Sequence, residues 1–447
     1  MGVAARRERR VAFHTFGCKL NQFETEALAS SFLAHGFIVV PIDQDADAYL
    51  INTCTVTSRA DHKARSMIRG LARAHPGAPL VVTGCSAETE SEALSALAGN
   101  IVVVPQSEKS RLLELPRTLA ESLDAEREPD ARSLVDWRPT APTDAFALTA
   151  TDYSFHTRAF LKIQDGCDCR CAYCRVPLAR GGSVSLPLEE VVKRAAALES
   201  RGRREIVLTG VNLSAWRSSG TGLSGLLREI LGATTRARIR LSSLEPESLT
   251  PDLVEALSEA RVCPHFHVPV QSGSDRILAM MHRRYRSAGV IDGVERLRAA
   301  RDEPFIAADI LVGFPGETEE DFQQTRAIVE RLQFAALHVF PFSSRPGTAA
   351  ASMTPVVPER IRRERAHQLS ALADESGTSY AQRCVGKEVE VLLEGTERSR
   401  PHGVSANYLK VSVIGVPGEA AVPGTVVRAE ITSAGPTCSA QFIGLSV

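Results

Sequence analysis

The sequence has no apolar run approaching the eighteen or so residues of a membrane span, so no membrane partner is expected. Its net charge is -1 at pH 7. No whole-molecule field therefore points to nucleic acid or to a membrane surface, and any polyanion site must come from a local patch. Internal repeats and low-complexity tracts are missing too. The opening MGVAARRERR is basic, but the segment after it, VAFHTFGCKL, is broken by His14 and Lys19 and is too short for a signal peptide. A cytoplasmic location is expected, where thiols stay reduced. The ten cysteines then read as metal ligands or core residues rather than a disulfide framework.

What is present is enough apolar material, 44% of 447 residues, for two or three buried cores. Residues 10–105 alternate short β-branched runs with helix-period segments, the pattern of an α/β layer on a mostly parallel sheet. Strands are expected near 10–16, 37–41, 48–53, 79–84 and 101–104, and helices near 22–35, 58–74 and 88–97, the first closed by Gly36. Residues 122–152 are polar and proline-punctuated and read as a linker. Between 153 and 383, six strands near 159–164, 204–209, 237–243, 264–270, 305–312 and 335–341 alternate with helical patterns, which predicts a partial (β/α)6 barrel. The tail from 384 to 447 changes to short alternating runs split by glycine and proline, the pattern of a small antiparallel β-barrel. The expected architecture is α/β with domains at 1–121, 153–383 and 384–447.

The densest chemical signal is Cys167-Asp-Cys169-Arg-Cys171-Ala-Tyr-Cys174, a C-x3-C-x2-C run directly after the first barrel strand. Three thiolates on one loop can hold three irons of a cubane and leave the fourth open to a substrate group. Structural zinc is the competing reading, because Cys169 brings four cysteines into eight residues. Zinc sites are usually built from two separated pairs, and no second pair follows. The segment RAFLKIQDGCDCRCAYC resembles the cluster loop of radical S-adenosylmethionine (SAM) enzymes. The resemblance implies that the open iron of a [4Fe-4S] cluster on Cys167, Cys171 and Cys174 chelates SAM, that SAM is cleaved to a 5′-deoxyadenosyl radical, and that Tyr173 is the aromatic between the last two cysteines.

A second constellation is dispersed. Cys18, Cys54 and Cys85 each end a strand pattern (VAFHTFGC, YLINTC, LVVTGC) just before a helical segment. Residues beyond the carboxyl ends of parallel strands converge on one crevice, so the three read as neighbours in a second three-cysteine site. Taken singly, each could be a small buried hydrophobe, as Cys263, Cys384 and Cys438 are expected to be.

TFGCKLNQFE, INTCTVTSRADHKAR and TGCSAE, followed by EIVLTGVNL, LSSLEPE, HFHVPVQSGSDRIL, DILVGFPGETEEDF and PFSSRPGTAA, resemble the methylthiotransferase family over nearly the whole chain. The resemblance implies two [4Fe-4S] clusters, the second on Cys18, Cys54 and Cys85, with SAM as both radical source and methyl donor, and exchange of a C–H bond for C–SCH3. GCKLNQFE is similar to the branch that acts on N6-threonylcarbamoyladenosine at position 37 in the anticodon loop of tRNA. Other branches act on isopentenyladenosine or a ribosomal-protein side chain. The tail is similar to the RNA-binding TRAM domain, although its own charges are five basic against six acidic. An electron donor such as flavodoxin or ferredoxin is implied.

By the same resemblance Gly210, at the strand end LTGVN, meets the SAM methionyl group. RIRRERAH (360–367) and HRRYR (282–286) are candidate phosphate contacts or solvated faces. GFPGETEEDF lacks the GK[ST] ending of a phosphate loop; Thr318 and Asp321 instead form a capping-box pattern there. His265, His267 and Gln271 lie on a strand and loop expected to open toward the barrel mouth, with a core histidine holding a satisfied partner as the preferred reading of either histidine alone. The family pattern is broken at ARGGSVS, poorer in arginine than usual, and at Cys169, where asparagine is usual.

Overall fold

In the computed structural model the described residues are 8–55, 57–125, 144–150, 153–397 and 400–446. Most of the expected linker, 122–152, lies outside them. The chain divides into two compact units: residues up to Phe155 with Asp165–Cys167 and Cys174–Val184, and the remainder. None of the described helices is long and apolar enough to cross a membrane.

In the first unit five strands, β1 (Arg9–Thr15), β2 (Phe37–Val40), β3 (Ala48–Thr53), β4 (Leu80–Gly84) and β5 (Ile101–Val103), form one sheet of order β2-β1-β3-β4-β5. All four pairings are parallel. β3 and β4 are buried along their whole length, as parallel strands covered on both faces must be. The reversal of strand order at β1 and β3 is where doubly wound sheets open a crevice. The helix expected near 88–97 is instead two short turns, Cys85–Thr89 and Ser91–Ser95. They are divided at Glu90, whose backbone leaves the helical region (φ -146°, ψ 33°) and whose carboxylate is held by Arg65 and Arg175.

In the second unit two three-stranded parallel sheets, Ala159–Lys162 with Glu205–Thr209 and Arg238–Leu241, and His265–Gln271 with Phe305–Val312 and Ala336–Pro341, follow chain order. Parallel bridges Ile239 to Val262 and Ser243 to His267 join them. The result is the open six-stranded barrel that the alternation in the sequence implies. Thr318 and Asp321 form a reciprocal capping box on the helix Glu319–Leu332.

The tail closes into a five-stranded barrel from Glu388–Glu397, Arg400–Ser405, Lys410–Ile414, Val426–Ser433 and Cys438–Leu445. Four pairings are antiparallel; Lys410–Ile414 and Cys438–Leu445 run parallel, since the last strand crosses over to close the barrel. Its core (Val391, Leu393, Val411, Val413, Val427, Ile431) is continuous with Phe305 and Ala307 of the open barrel through Tyr380. A buried carboxylate strengthens this seam. Glu205 accepts from Arg238 Nε and Arg240 Nε, both at 2.6 Å, and the two guanidiniums donate onward to the carbonyls of Glu390, Val404, Ser405 and Ala406. Cys263, Cys384 and Cys438 are buried core residues, as expected.

Candidate metal centres

Cys18, Cys54 and Cys85 follow the carboxyl ends of β1, β3 and β4. Cys18 is the N-cap of the helix Lys19–Ala34, and Cys85 opens its own turn. Hydrogen bonds tie the three loops together. Asn21 Nδ2 donates to Phe16 O (2.7 Å) and Thr53 O (2.9 Å), Asn52 Nδ2 to Asn21 O (2.9 Å), and Ser86 Oγ to Cys54 O (2.7 Å). Gly17 sits at φ +102°, and a Cβ there would lie 2.7 Å from Cys54 Cβ and 2.9 Å from its Sγ. Only glycine lets this loop approach so closely. Burial pushes the Cys85 thiol up, Arg180 and Lys109 pull it down, and Cys18 is near enough to raise it again.

None of the three cysteines is in a disulfide; Cys18 is exposed and the other two are buried. Three thiolates on neighbouring loops can ligate three irons of an iron–sulfur cluster and leave a fourth open.

Beside this triad is a charge network that the sequence pattern did not signal. Glu24, fully buried, accepts from Lys109 Nζ at 2.5 Å and Arg180 Nη1 at 2.9 Å; Arg180 also binds both oxygens of Asp165 at 3.1 Å and Asn21 Oδ1 at 2.8 Å. Two cations face two anions, which makes such burial tolerable. Arg180, the one arginine of ARGGSVS, is therefore a buried structural partner within its unit.

In the other constellation the eight residues 167–174 follow the first barrel strand. Gly166 (φ +66°) has Gly182 O where a Cβ would stand, at 1.9 Å, and Cys167 N donates to Gly181 O at 3.1 Å. Cys174 Sγ accepts from Val176 N at 3.4 Å. Within the second unit Ala172 N donates to Met281 O (3.0 Å), and Ala172 O accepts from Ala350 N (2.8 Å). Tyr173 packs on a cluster of Ala172, Ile277, Met281, Phe314 and Phe342. Cys171 Sγ accepts from Arg283 Nη1 at 3.2 Å, and Arg283 is ion-paired with Glu245. Burial raises the Cys171 thiol and Arg283 lowers it; burial also pushes the Glu245 carboxyl up to about 7 against the pull of Arg283. Cys169 accepts from Asn212 Nδ2 at 3.6 Å. A Cβ on Gly210 would lie 2.9 Å from Gln164 Oε1, which holds Asn212 N at 2.8 Å. Gly210 thus has a packing reason to be glycine.

The two basic stretches are only partly on the surface. Arg283 is turned inward, Arg365 is buried against Glu317 at 2.5 Å, and Arg362 reaches Phe342 O. Arg284, Arg286, Arg360 and Arg363 are exposed. A further group came from no sequence motif: His267, Asp309 and His338, on three neighbouring strands, bring their ligating atoms within 4.8 Å of one another. His267 alone was singled out by its motif; Asp309 and His338 sit in ordinary strand text.

The family model described as the Radical SAM superfamily matches residues 161–328, and that described as Uncharacterized protein family UPF0004 matches 10–105. The solved structure of the radical S-adenosylmethionine methyltransferase TsrM from Kitasatospora setae shares the fold, with a TM-score of 0.52 and 17% identity over 89% of this chain and 81% of that one. An open parallel barrel with a three-cysteine loop after its first strand, matched by that model, is a radical SAM enzyme, a class that uses SAM and a [4Fe-4S] cluster.

A curated protein named threonylcarbamoyladenosine tRNA methylthiotransferase MtaB, from Treponema pallidum, is 39% identical over 95% of this chain and 98% of its own length. One named tRNA-2-methylthio-N(6)-dimethylallyladenosine synthase, from Cereibacter sphaeroides, is 35% identical over 96% and 97%. The chain belongs to the methylthiotransferase family of radical SAM enzymes.

Proposed function

We propose that this enzyme converts N6-threonylcarbamoyladenosine at position 37 of tRNA to its 2-methylthio derivative. Cys167, Cys171 and Cys174 are the ligands of the SAM-binding [4Fe-4S] cluster, and Cys18, Cys54 and Cys85 of a second one. The observation that carries the reading is the second triad, three cysteines outside any disulfide on interlocked loops at the carboxyl edge of a parallel sheet, in a chain that also holds a radical SAM loop. The branch is supported by the 39% identity to the MtaB of Treponema pallidum.

Bound together, clusters and SAM supply the radical, sulfur and methyl chemistry. The chain's own residues orient and shield. Arg283 steadies Cys171 through a hydrogen bond to its sulfur, and Asn21 and Asn52 fix the loops that carry Cys18 and Cys54. Tyr173, packed against Ala172, Ile277 and Met281, would flank SAM, and Gly210 keeps the second strand end narrow. The closed five-stranded barrel, which shares the OB-type strand order, is the RNA-binding part. The proposed domains are 1–121, 153–383 and 384–447 about a linker at 122–152, in a cytoplasmic protein reduced by a flavodoxin or ferredoxin.

The test is nucleoside mass spectrometry of tRNA from a strain deleted for this gene and complemented with wild type or Cys171→Ala. The 2-methylthio form of threonylcarbamoyladenosine is expected to return only with the wild type. Return of the 2-methylthio form of dimethylallyladenosine instead would move the protein to the branch of its Cereibacter relative.

A further inference from the structure

The open barrel is plugged at the amino end of its strands. There Tyr408 lies 4.0 Å from the ring of His265 and 5.8 Å from that of Phe305, under the guanidinium of Arg240. Further along the same face of the strands is the polar trio. Asp309 and His338 are register partners on adjacent parallel strands, so their side chains share a face. His267 is clamped, with Nδ1 2.7 Å from Ser243 Oγ and Nε2 2.9 Å from Asp309 Oδ1. With Ser243 donating to Nδ1, the Nε2 proton points at Asp309 and leaves its second oxygen to serve another donor. His338 is exposed, 5.8 Å from His267 between ring centres, and hydrogen-bonds to none of the described residues. Phe340, two residues on toward the carboxyl rim and so on the same face, is 38% exposed.

We propose that His338 and Asp309 read the N6 substituent of the target adenosine and set the choice between a polar and an apolar one; this rests on the tRNA methylthiotransferase reading above. A threonylcarbamoyl group offers a carbonyl and a carboxylate for an imidazole N–H, and a ureido N–H and a hydroxyl for a carboxylate oxygen. A dimethylallyl group offers neither, and would leave both side chains desolvated without a partner, the situation in which a polar pocket rejects an apolar analogue most strongly. Phe340 supplies an apolar plane on which a base can stack.

The experiment measures the Kd of anticodon stem-loops bearing threonylcarbamoyladenosine or dimethylallyladenosine for the reconstituted enzyme without reductant, for wild type, His338→Leu and His338→Gln. The release of 5′-deoxyadenosine without RNA is followed beside it. His338→Leu is expected to weaken the threonylcarbamoyl loop by about tenfold or more, leave the dimethylallyl loop unchanged or tighter, and keep 5′-deoxyadenosine release within about twofold. His338→Gln, which retains a donor, should recover most of the loss. An equal loss for both loops, or a loss of SAM cleavage instead, overturns the assignment. A wild type that binds and methylthiolates only the dimethylallyl substrate overturns the functional reading itself, and this inference with it.

Discussion

At the scale of single residues, the candidate centres depend on glycines and charges that hold thiols in place. Gly17 is the sharpest case, since its φ of +102° and the 2.7 Å approach to Cys54 leave no room for a methyl group. Gly17→Ala should destabilise the N-terminal unit by about 2 to 4 kcal/mol, combining backbone strain with overpacking. Because the displaced neighbour is Cys54, iron and labile sulfide per chain should fall toward the content of one cluster. Thermal melts with iron and sulfide assays check both. Retention of full iron content in Gly17→Ala would show that Cys54 is not a ligand. Other residue roles were visible only in three dimensions: Arg283, within the HRRYR stretch read as a phosphate contact or a solvated face, binds Cys171 and Glu245.

At the scale of elements, the seam between the open barrel and the small closed one is governed by Glu205. Burial acts to raise its carboxyl, but the guanidiniums of Arg240 and Arg238 overcome that and hold it at about 2, against an ordinary value of 4.5. A depressed carboxyl contributes stability that is whole above about pH 4.5 and is lost as the pH falls toward 2. The full contribution is on the order of 3 kcal/mol. Glu205→Gln leaves two arginines buried without a counter-charge, and should lower stability near neutral pH by about 3 to 5 kcal/mol. Denaturation curves between pH 6 and 2 should show the gap between wild type and variant narrowing as the pH falls. A constant gap would mean that Glu205 is not the ionised partner. The strands that build this seam were legible from their β-branched runs, but their charged residues were not, because Arg238, Arg240 and Glu205 read locally as surface charges and are buried only by pairing across strands.

For the whole molecule, the two cysteine sets predict separable chemistry. On the proposed assignment of the N-terminal set, Cys85→Ala should leave SAM cleavage to 5′-deoxyadenosine within a few-fold of wild type while abolishing methylthiolated product. Cys171→Ala should abolish both. Anaerobic assays that quantify 5′-deoxyadenosine and the modified nucleoside together read this directly, and loss of SAM cleavage in Cys85→Ala would tie the two centres into one. The near-zero net charge gives no long-range pull on a polyanion, so local basic patches would have to supply it; Arg284, Arg286, Arg360 and Arg363 are exposed.

The sequence by itself determined the order of elements, the open parallel barrel, the closed barrel and both cysteine sets. These are written locally, in apolar period, in turn residues and in a cysteine placed just past a strand, and parallel topology then brings strand ends to one edge. Only the tertiary structure decided what surrounds the thiols. Lys109 and Arg180 meet Glu24 from 85 and 156 positions away, and His267, Asp309 and His338 come from three separate strands. No local pattern encodes such meetings, because they follow from register and packing rather than from the neighbours of each residue in the chain.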